Sequence, residues 1–249
     1  MASSSIINAN DIVKSEKTEK EEVDIKSHKD IEGFAQWIDE EDARFLAMED
    51  VYNDDTTWGN FVNDKWVIID VYNDPETGFK GKLYREFGTY NYVFAAAGTQ
   101  FTSGEDWTAN IQQQFRIDTA QYEQARNLAK ELVAEYEDCN LIFVGHSLGG
   151  GLASAMSRYT GVDAITFNSS ALSHPEYKGN ESDSKIAAYI SNGDILDYVN
   201  ETLLKQKVEG QVIRRDAKSS SMLNFPTVSP ALGLYQAVRG IVIHCDSKL

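Results

Sequence analysis

The stretch NLIFVGHSLGGGLASAMSRY, residues 140–159, joins a short apolar run to a segment of small residues with helical spacing. Residues 141–144 have the length and composition of a buried strand, and residues 148–159 have the periodicity of a helix. Ser147 stands at the turn between them, with Gly145 and Gly149 two residues away on either side. A turn this tight leaves no room for a side chain at either glycine. It also projects the Ser147 hydroxyl from the carboxyl edge of the sheet, where open α/β folds bind ligands.

Predicted strands and helices alternate along the rest of the chain. Apolar residues with helical spacing occur in residues 31–52 and 118–138, and short apolar runs typical of strands occur in residues 65–73, 78–99, 163–167 and 185–191. Within residues 78–99, Phe87-Gly88-Thr89 is the predicted turn of a hairpin. The alternation predicts an α/β protein with a mostly parallel central sheet flanked by helices on both faces.

Composition suggests where the domain begins. Residues 1–30 are polar and charged, which predicts a disordered, solvated tail, and apolar patterning starts at Ile31. No repeat and no Gly-, Ser- or Pro-rich linker interrupts the sequence after that point. We therefore expect one domain over residues 31–249.

The charge of the chain limits the classes of partner, and its cysteine content limits the disulfides and metal sites that it can form. A formal net charge of −16 argues against nucleic acid, whose phosphates bind clustered Lys and Arg. The same charge disfavours attraction to anionic membranes, although an apolar patch is compatible with brief contact at a lipid interface. The two cysteines, Cys139 and Cys245, are too few for a disulfide framework or a typical zinc site. A single bridge between them remains open beside the alternative of two buried thiols.

The N-terminal residues bear on location. Residues 1–20 lack the apolar core of a secretory signal, and no apolar stretch approaches the ~20 residues of a membrane-spanning helix. These features predict a cytoplasmic protein, with export by a non-classical route as the alternative.

A serine hydroxyl becomes a nucleophile when a base takes its proton, and histidine is the usual base. Of the four histidines, His28 falls in the predicted tail, and His146 adjoins Ser147 with its side chain expected to point away. His174 lies on a loop after the next predicted strand, whereas His244 ends a short apolar run late in the chain. His244 is the predicted base, because this topology places the base after the acid, and His174 is the alternative.

The acid and the oxyanion donors are predicted at the ends of other strands. Asp194 follows the strand at residues 185–191 directly and is the predicted acid, with Asp197 as a helix cap or replacement acid. The Leu148 N–H, one residue after the nucleophile, is one predicted oxyanion donor. The second is Thr99, which with Gly98 ends the apolar strand of the hairpin.

Taken together, these residues resemble the fungal-lipase-like α/β-hydrolases, the class three lipases, and in particular a bacterial branch described as lipases or phospholipases. The resemblance spans residues 66–247 and is carried by AAAGT (95–99), DWTANIQQ (106–113), QYEQARNLA (121–129), VGHSLGGGLASA (144–155), AITFNSSALS (164–173), NGDILDYV (192–199) and IHCDS (243–247). Ala96-Ala97 stand where many members have Phe-Arg, which is expected to alter loop anchoring.

This resemblance implies a Ser147–His244–Asp194 triad with oxyanion donors at Thr99 and Leu148. It implies hydrolysis of carboxylic esters, usually of lipids, through an acyl-enzyme, with no metal and no organic cofactor. The alternatives are a thioesterase, acyltransferase or peptidase with the same triad, and a non-catalytic protein that binds a lipid or a partner. Acyl length, head group and oligomeric state are left undetermined.

Overall fold

A mixed sheet forms the centre of the computed structural model, which describes residues 25–53, 57–98, 119–172, 184–192 and 206–216. In these ranges eight strands lie side by side in chain order: β1 (Phe61–Val62), β2 (Trp66–Asn73), β3 (Lys80–Glu86), β4 (Asn91–Ala96), β5 (Asn140–His146), β6 (Ala164–Phe167), β7 (Ile186–Ser191) and β8 (Gln211–Arg215). The α-helices are α1 (Glu40–Met48), α2 (Thr119–Glu135) and α3 (Leu148–Thr160).

The sheet changes character at β4. Strands β1 to β4 pair antiparallel, and β4 to β8 pair parallel. The turn between β3 and β4 lies at Phe87-Gly88-Thr89, where Gly88 takes a left-handed φ of 76°. The parallel half brings the carboxyl ends of five strands to one edge of the sheet, and Ser147 stands at that edge.

Side chains of β5 alternate between two cores, one on each face of the sheet. Ile142 and Val144 pack in a cluster that contains Leu46 of α1, whereas Phe143 packs with residues of α2 and α3 such as Leu132 and Leu152. Helices therefore cover both faces, as predicted. The fold is a mostly parallel α/β sheet of the α/β-hydrolase type.

The pattern of residues 31–52 predicts one or two helices, and the structure confirms one α-helix there, although it begins only at Glu40. The helical spacing of residues 31–52 yields an α-helix only at Glu40–Met48 and a short 3₁₀ helix at Asp50–Tyr52. Gly33 has a left-handed φ of 67°, which interrupts any helix there. Ile31 and Ile38 are nevertheless buried. The spacing of their apolar side chains therefore reflects packing in the core and not the formation of a helix.

The sequence interpretation missed β8 because its pattern is mostly polar. Only Ile213 among its residues is buried, and neighbouring Val212 is 42% exposed. Of the helices in the described ranges, none combines the length and the apolar character needed to cross a bilayer.

His28 lies in the protein interior, which corrects its placement in a solvated tail. The side chain is fully buried, and residues 28–30 form a short 3₁₀ helix capped by Ser27. The Tyr189 hydroxyl of β7 accepts the His28 backbone N–H at 2.9 Å and lies 2.7 Å from Nδ1. The other ring nitrogen, Nε2, is 3.0 Å from the Ile38 carbonyl. The remaining predicted tail, residues 1–24, lies outside the described residues.

A hydrogen-bonded histidine explains why this segment is packed despite its polar sequence. Burial lowers the pKa of His28, so the ring is neutral at pH 7. A neutral ring has one donor and one acceptor, which match the Ile38 carbonyl and the Tyr189 hydroxyl. Arg215 of β8 adds a hydrogen bond to the Lys26 carbonyl at 2.7 Å. Residues 25–30 therefore belong to the folded domain.

His28→Ala is expected to lower the free energy of unfolding by about 2–4 kcal/mol, because it leaves a cavity and two unpaired polar groups. Lys29→Ala is the control, since the Lys29 side chain is 39% exposed and pairs with an exposed Asp39. That control should change stability by no more than about 0.5 kcal/mol. Urea denaturation measures the free energy of unfolding of both variants. A loss for His28→Ala as small as that for Lys29→Ala would show that the His28 side chain has no structural role.

Candidate active site

Ser147 occupies a strained turn between β5 and α3. Its backbone has φ 56° and ψ −126°, a region that residues other than glycine rarely adopt. The residue is 5% exposed, and α3 begins with the next residue. This is the strand-to-helix geometry that the sequence predicts for a nucleophilic serine.

Glycines permit the turn because three backbone segments meet there. A Cβ on Gly145 would collide with the carbonyl of Gly149, and a Cβ on Gly149 would collide with the Ala96 carbonyl at the end of β4. Both replacements would displace backbone atoms rather than flexible side chains. The glycines on either side of Ser147 are therefore a steric requirement, as predicted.

Hydrogen bonds from the neighbouring strand hold Ser147 in place. The Ser147 N–H donates to the Phe167 carbonyl at 3.2 Å, and the Ser147 carbonyl accepts the Ser170 N–H at 3.0 Å. The same carbonyl accepts the Gly150 N–H at 3.0 Å in the first turn of α3. The backbone at Ser147 is thus bonded on both sides, which stabilises its strained angles.

Asn168 links the carboxyl ends of β6 and β7. The sequence interpretation did not identify this residue. It has a positive φ of 40°, and its N–H donates to the Tyr189 carbonyl at 2.8 Å. Its side-chain oxygen accepts the Ser191 N–H at 2.8 Å at the end of β7. Asn directly after an apolar strand is a signal that could have indicated this role, because Asn tolerates positive φ.

The first oxyanion donor predicted from the sequence stands where a helix begins. The Leu148 N–H is the first of α3, and no hydrogen bond between described residues uses it as a donor. The first N–H groups of a helix lack intrahelical acceptors and lie at the positive end of its dipole. Leu148 therefore has the position expected of an oxyanion donor beside Ser147.

The chain after β4 reaches the Ser147 turn directly. A Cβ on Gly98 would lie 2.8 Å from the His146 carbonyl and 3.2 Å from the Gly149 nitrogen. Gly98 thus packs against both sides of the serine. Thr99, the second predicted oxyanion donor, follows Gly98 but lies outside the described residues.

The other predicted site residues fall in ranges whose placement the structure leaves open. Asp194 and its alternative Asp197 lie after the described end of β7, and His174 lies after the described end of the loop that follows β6. His244 lies in the undescribed C-terminal part. The structure thus brings together Ser147, Leu148 and the residue before Thr99, while Asp194 and His244 stay predictions.

His146, the histidine next to Ser147, has an orientation and an imidazole pKa that do not suit a general base. It follows Val144 on the face of β5 that packs toward α1, by strand alternation. Burial lowers the pKa of its imidazole to about 4. Its place on the α1 face and its lowered pKa both disfavour His146 as the base, and His244 stays the predicted base.

Cys139 directly precedes β5, at the opposite end of that strand from Ser147. Cys245, the other cysteine of the sequence, lies outside the described residues, so a bridge between the two stays a prediction.

A cavity of about 420 Å³ lies at the opposite edge of the sheet from Ser147. Its lining includes the start of β5 and the residues just before β6, among them Trp37, Tyr136, Cys139, Leu141 and Asp163. Because the amino ends of the parallel strands form this edge, the cavity is separate from the candidate active site.

The lowered pKa of His146 predicts a loss of stability in acid. Since the unfolded chain binds a proton near pH 6.5 and the folded chain only near pH 4, stability is full above about pH 7 and falls as the pH drops toward 4. His146 alone should cost about 2 kcal/mol between pH 7 and pH 5. Urea denaturation at pH 7 and at pH 5 measures how much the free energy of unfolding falls between them. This fall should be smaller for His146→Gln than for the wild type. An equal fall in both proteins would contradict the lowered pKa of His146.

Comparisons with known proteins agree with this geometry. The model of a phospholipase-like family, the Tle-like phospholipase domain, matches residues 47–234, which include Ser147 and end before His244. The chain is 40% identical over 101 residues to an extracellular phospholipase A1 of Serratia liquefaciens, covering 41% of this chain and 30% of that protein. It is 37% identical over 57 residues to the putative lipase ATG15 of Eremothecium gossypii, covering 23% of this chain and 10% of that protein.

Both relatives are therefore matched over less than a third of their own length. Among solved structures, a triacylglycerol lipase from Penicillium expansum is similar with a TM-score of 0.49 and 14% identity, covering 70% of this chain and 77% of that one. Since the family model matches well over half of the sequence, the chain belongs to the phospholipase-like family that is defined by the Tle-like phospholipase domain.

Proposed function

We propose that the protein is a serine hydrolase that cleaves carboxylic esters of lipids, of the lipase or phospholipase A type. The observation that carries the proposal is the strained Ser147 at the carboxyl edge of the sheet, with Leu148 beginning a helix beside it. Membership of a phospholipase-like family and the similarity to a Serratia phospholipase A1 support the lipid ester as substrate class.

The proposed reaction begins with the Ser147 hydroxyl attacking the ester carbonyl. His244 takes the hydroxyl proton, and Asp194 orients the imidazole and stabilises its positive charge. The negative oxygen of the tetrahedral intermediate accepts hydrogen bonds from the Leu148 and Thr99 N–H groups. The roles of His244, Asp194 and Thr99 rest on their order in the sequence and on the family resemblance.

Collapse of the intermediate breaks the ester bond. His244 returns the proton to the leaving alcohol, and the acyl group remains on Ser147 as an ester. A water molecule then attacks the acyl carbonyl while His244 accepts its proton. The fatty acid leaves and the proton returns to Ser147, so the enzyme is regenerated without a cofactor.

Ser147→Ala should lower turnover of a short-chain nitrophenyl ester and of phosphatidylcholine vesicles by at least about 10³-fold, because the nucleophile is lost. Ser154→Ala is the matched control: Ser154 is also buried in α3, and its hydroxyl donates to the Gly150 carbonyl at 2.9 Å. That variant should keep its kcat. Undiminished turnover in the Ser147 variant would overturn the proposal.

A fluorophosphonate probe separates the alternative functions. Covalent labelling of Ser147 in the wild type supports a hydrolase, and complete inertness supports a non-catalytic binding protein. Ester, thioester and amide substrates measured in parallel then distinguish an esterase from a thioesterase or peptidase, and addition of an alcohol acceptor detects acyl transfer.

His244→Ala should lower turnover of the nitrophenyl ester by at least about 10³-fold, because Ser147 loses its proposed base. His174→Ala, measured side by side, should keep its kcat. The opposite result would assign the base to His174 and overturn His244.

A further inference from the structure

The cavity at the amino edge of the sheet lies away from Ser147 and has a volume of about 420 Å³. It is formed between the segment before α1, the end of α2, the start of β5 and the residues just before β6. Pockets that bind small molecules usually enclose about 300–1,000 Å³. The volume is therefore sufficient for a small organic ligand, and the lining residues decide its chemical class.

Aromatic and aliphatic side chains form part of the cavity wall. Trp37 and Tyr136 are half-buried there, beside the partly buried Val133, Leu141 and Val162. The faces of tryptophan and tyrosine rings carry negative electrostatic potential and attract cations that lie within about 6 Å. Such a wall favours a cation that itself has apolar surface, and quaternary ammonium ions combine these two properties.

The charged side chains of the cavity are all negative. Glu137 and Asp163 line it, and of the described residues that line it none is Lys, Arg or His. The Asp163 carboxylate is fixed in place, because its Oδ1 accepts the Lys185 backbone N–H at 2.9 Å. The ammonium group of Lys185 makes an exposed bond of 3.3 Å to the carbonyl of Gly33, another lining residue. The two carboxylates therefore give the cavity a negative potential.

Two helices end at this cavity and add to its negative potential. Val133, in the last turn of α2, and Gly161, directly after α3, both line it. The C-terminus of a helix carries the negative end of the helix dipole, and its last carbonyls lack intrahelical partners. The last turn of α2 has no basic residue, and Arg158 in the last turn of α3 is 3.2 Å from the Glu209 carboxylate. Neither helix end is therefore neutralised by a free basic side chain of its own.

We propose that this cavity binds a small organic ammonium ion, with its alkyl groups against Trp37 and Tyr136 and its charge near Glu137 and Asp163. An inorganic cation would interact with the carboxylates without using the apolar wall, and a neutral ligand would use the wall alone. An organic cation matches both features. The site is separate from Ser147, so this inference does not depend on the proposed hydrolysis. A soluble amine and the choline head group of a lipid offer the same chemistry.

Isothermal titration calorimetry with choline and with dimethylbutanol tests the proposal. Dimethylbutanol is the neutral isostere of choline, in which carbon replaces the nitrogen. We expect the wild type to bind choline at least about tenfold more tightly than the isostere, because the rings and the carboxylates act on the charge. Equal affinities, or no heat of binding at about 10 mM choline, would overturn the proposal.

Trp37→Leu and Glu137→Gln should each weaken choline binding by at least about fivefold, because one removes a ring and the other a carboxylate. Trp58→Leu and Glu131→Gln are the matched controls. Trp58 is 53% exposed, Glu131 lies in α2, and neither lines the cavity. Both controls should keep the affinity within about twofold of the wild type. Equal losses in Glu137→Gln and Glu131→Gln would show a response to net charge alone and would overturn the site. Glu137 is exposed, so its variant carries the test if Trp37→Leu fails to fold.

Vesicles of phosphatidylcholine, added to Ser147→Ala so that the lipid is not hydrolysed, distinguish the two sources of the ligand. Displacement of choline by the vesicles would support a lipid head group, and unchanged choline binding would support a soluble amine. A wild type that hydrolyses esters and does not bind choline contradicts this inference alone. A wild type that binds choline and neither hydrolyses esters nor reacts with a fluorophosphonate contradicts the proposed function alone.

Discussion

The candidate site depends on the close approach of three backbone segments at the carboxyl edge of the sheet. The end of β4, the end of β5 and the start of α3 meet where a Cβ on Gly145 or Gly149 would collide with main-chain atoms. This contact forces Ser147 into a left-handed φ and brings Gly98 beside it. The strained Ser147, which is the proposed nucleophile, and the placement of Gly98 beside it thus arise from one steric constraint.

The strain at this corner is stabilised by the neighbouring strands. Bonds from Phe167 and Ser170 hold the Ser147 backbone, and Asn168 joins the ends of β6 and β7. Asp194, the proposed acid, follows β7 closely in the sequence.

Two buried polar clusters distinguish the α1 face from an ordinary apolar core. One contains Asp50, Lys82 and Tyr84, and the other contains His28 and Tyr189. Each anchors a segment that precedes β1 to a strand of the sheet. Since buried polar groups are costly unless paired, such clusters favour a single arrangement of these segments. In the first cluster that arrangement includes the Tyr52 contact to the loop after β4.

The sequence by itself determined the strand, the turn at Ser147 and the helix after it, because their signals are local: an apolar run, paired glycines and helical spacing within twenty residues. The hairpin at Gly88 and the parallel half of the sheet were predictable for the same reason. Only the tertiary structure decided the burial of His28, which bonds a residue 161 positions away, and the contact between Tyr52 and Gly98, 46 positions apart. Polar residues such as these carry no local periodicity, so their roles depend on which strands fold against them.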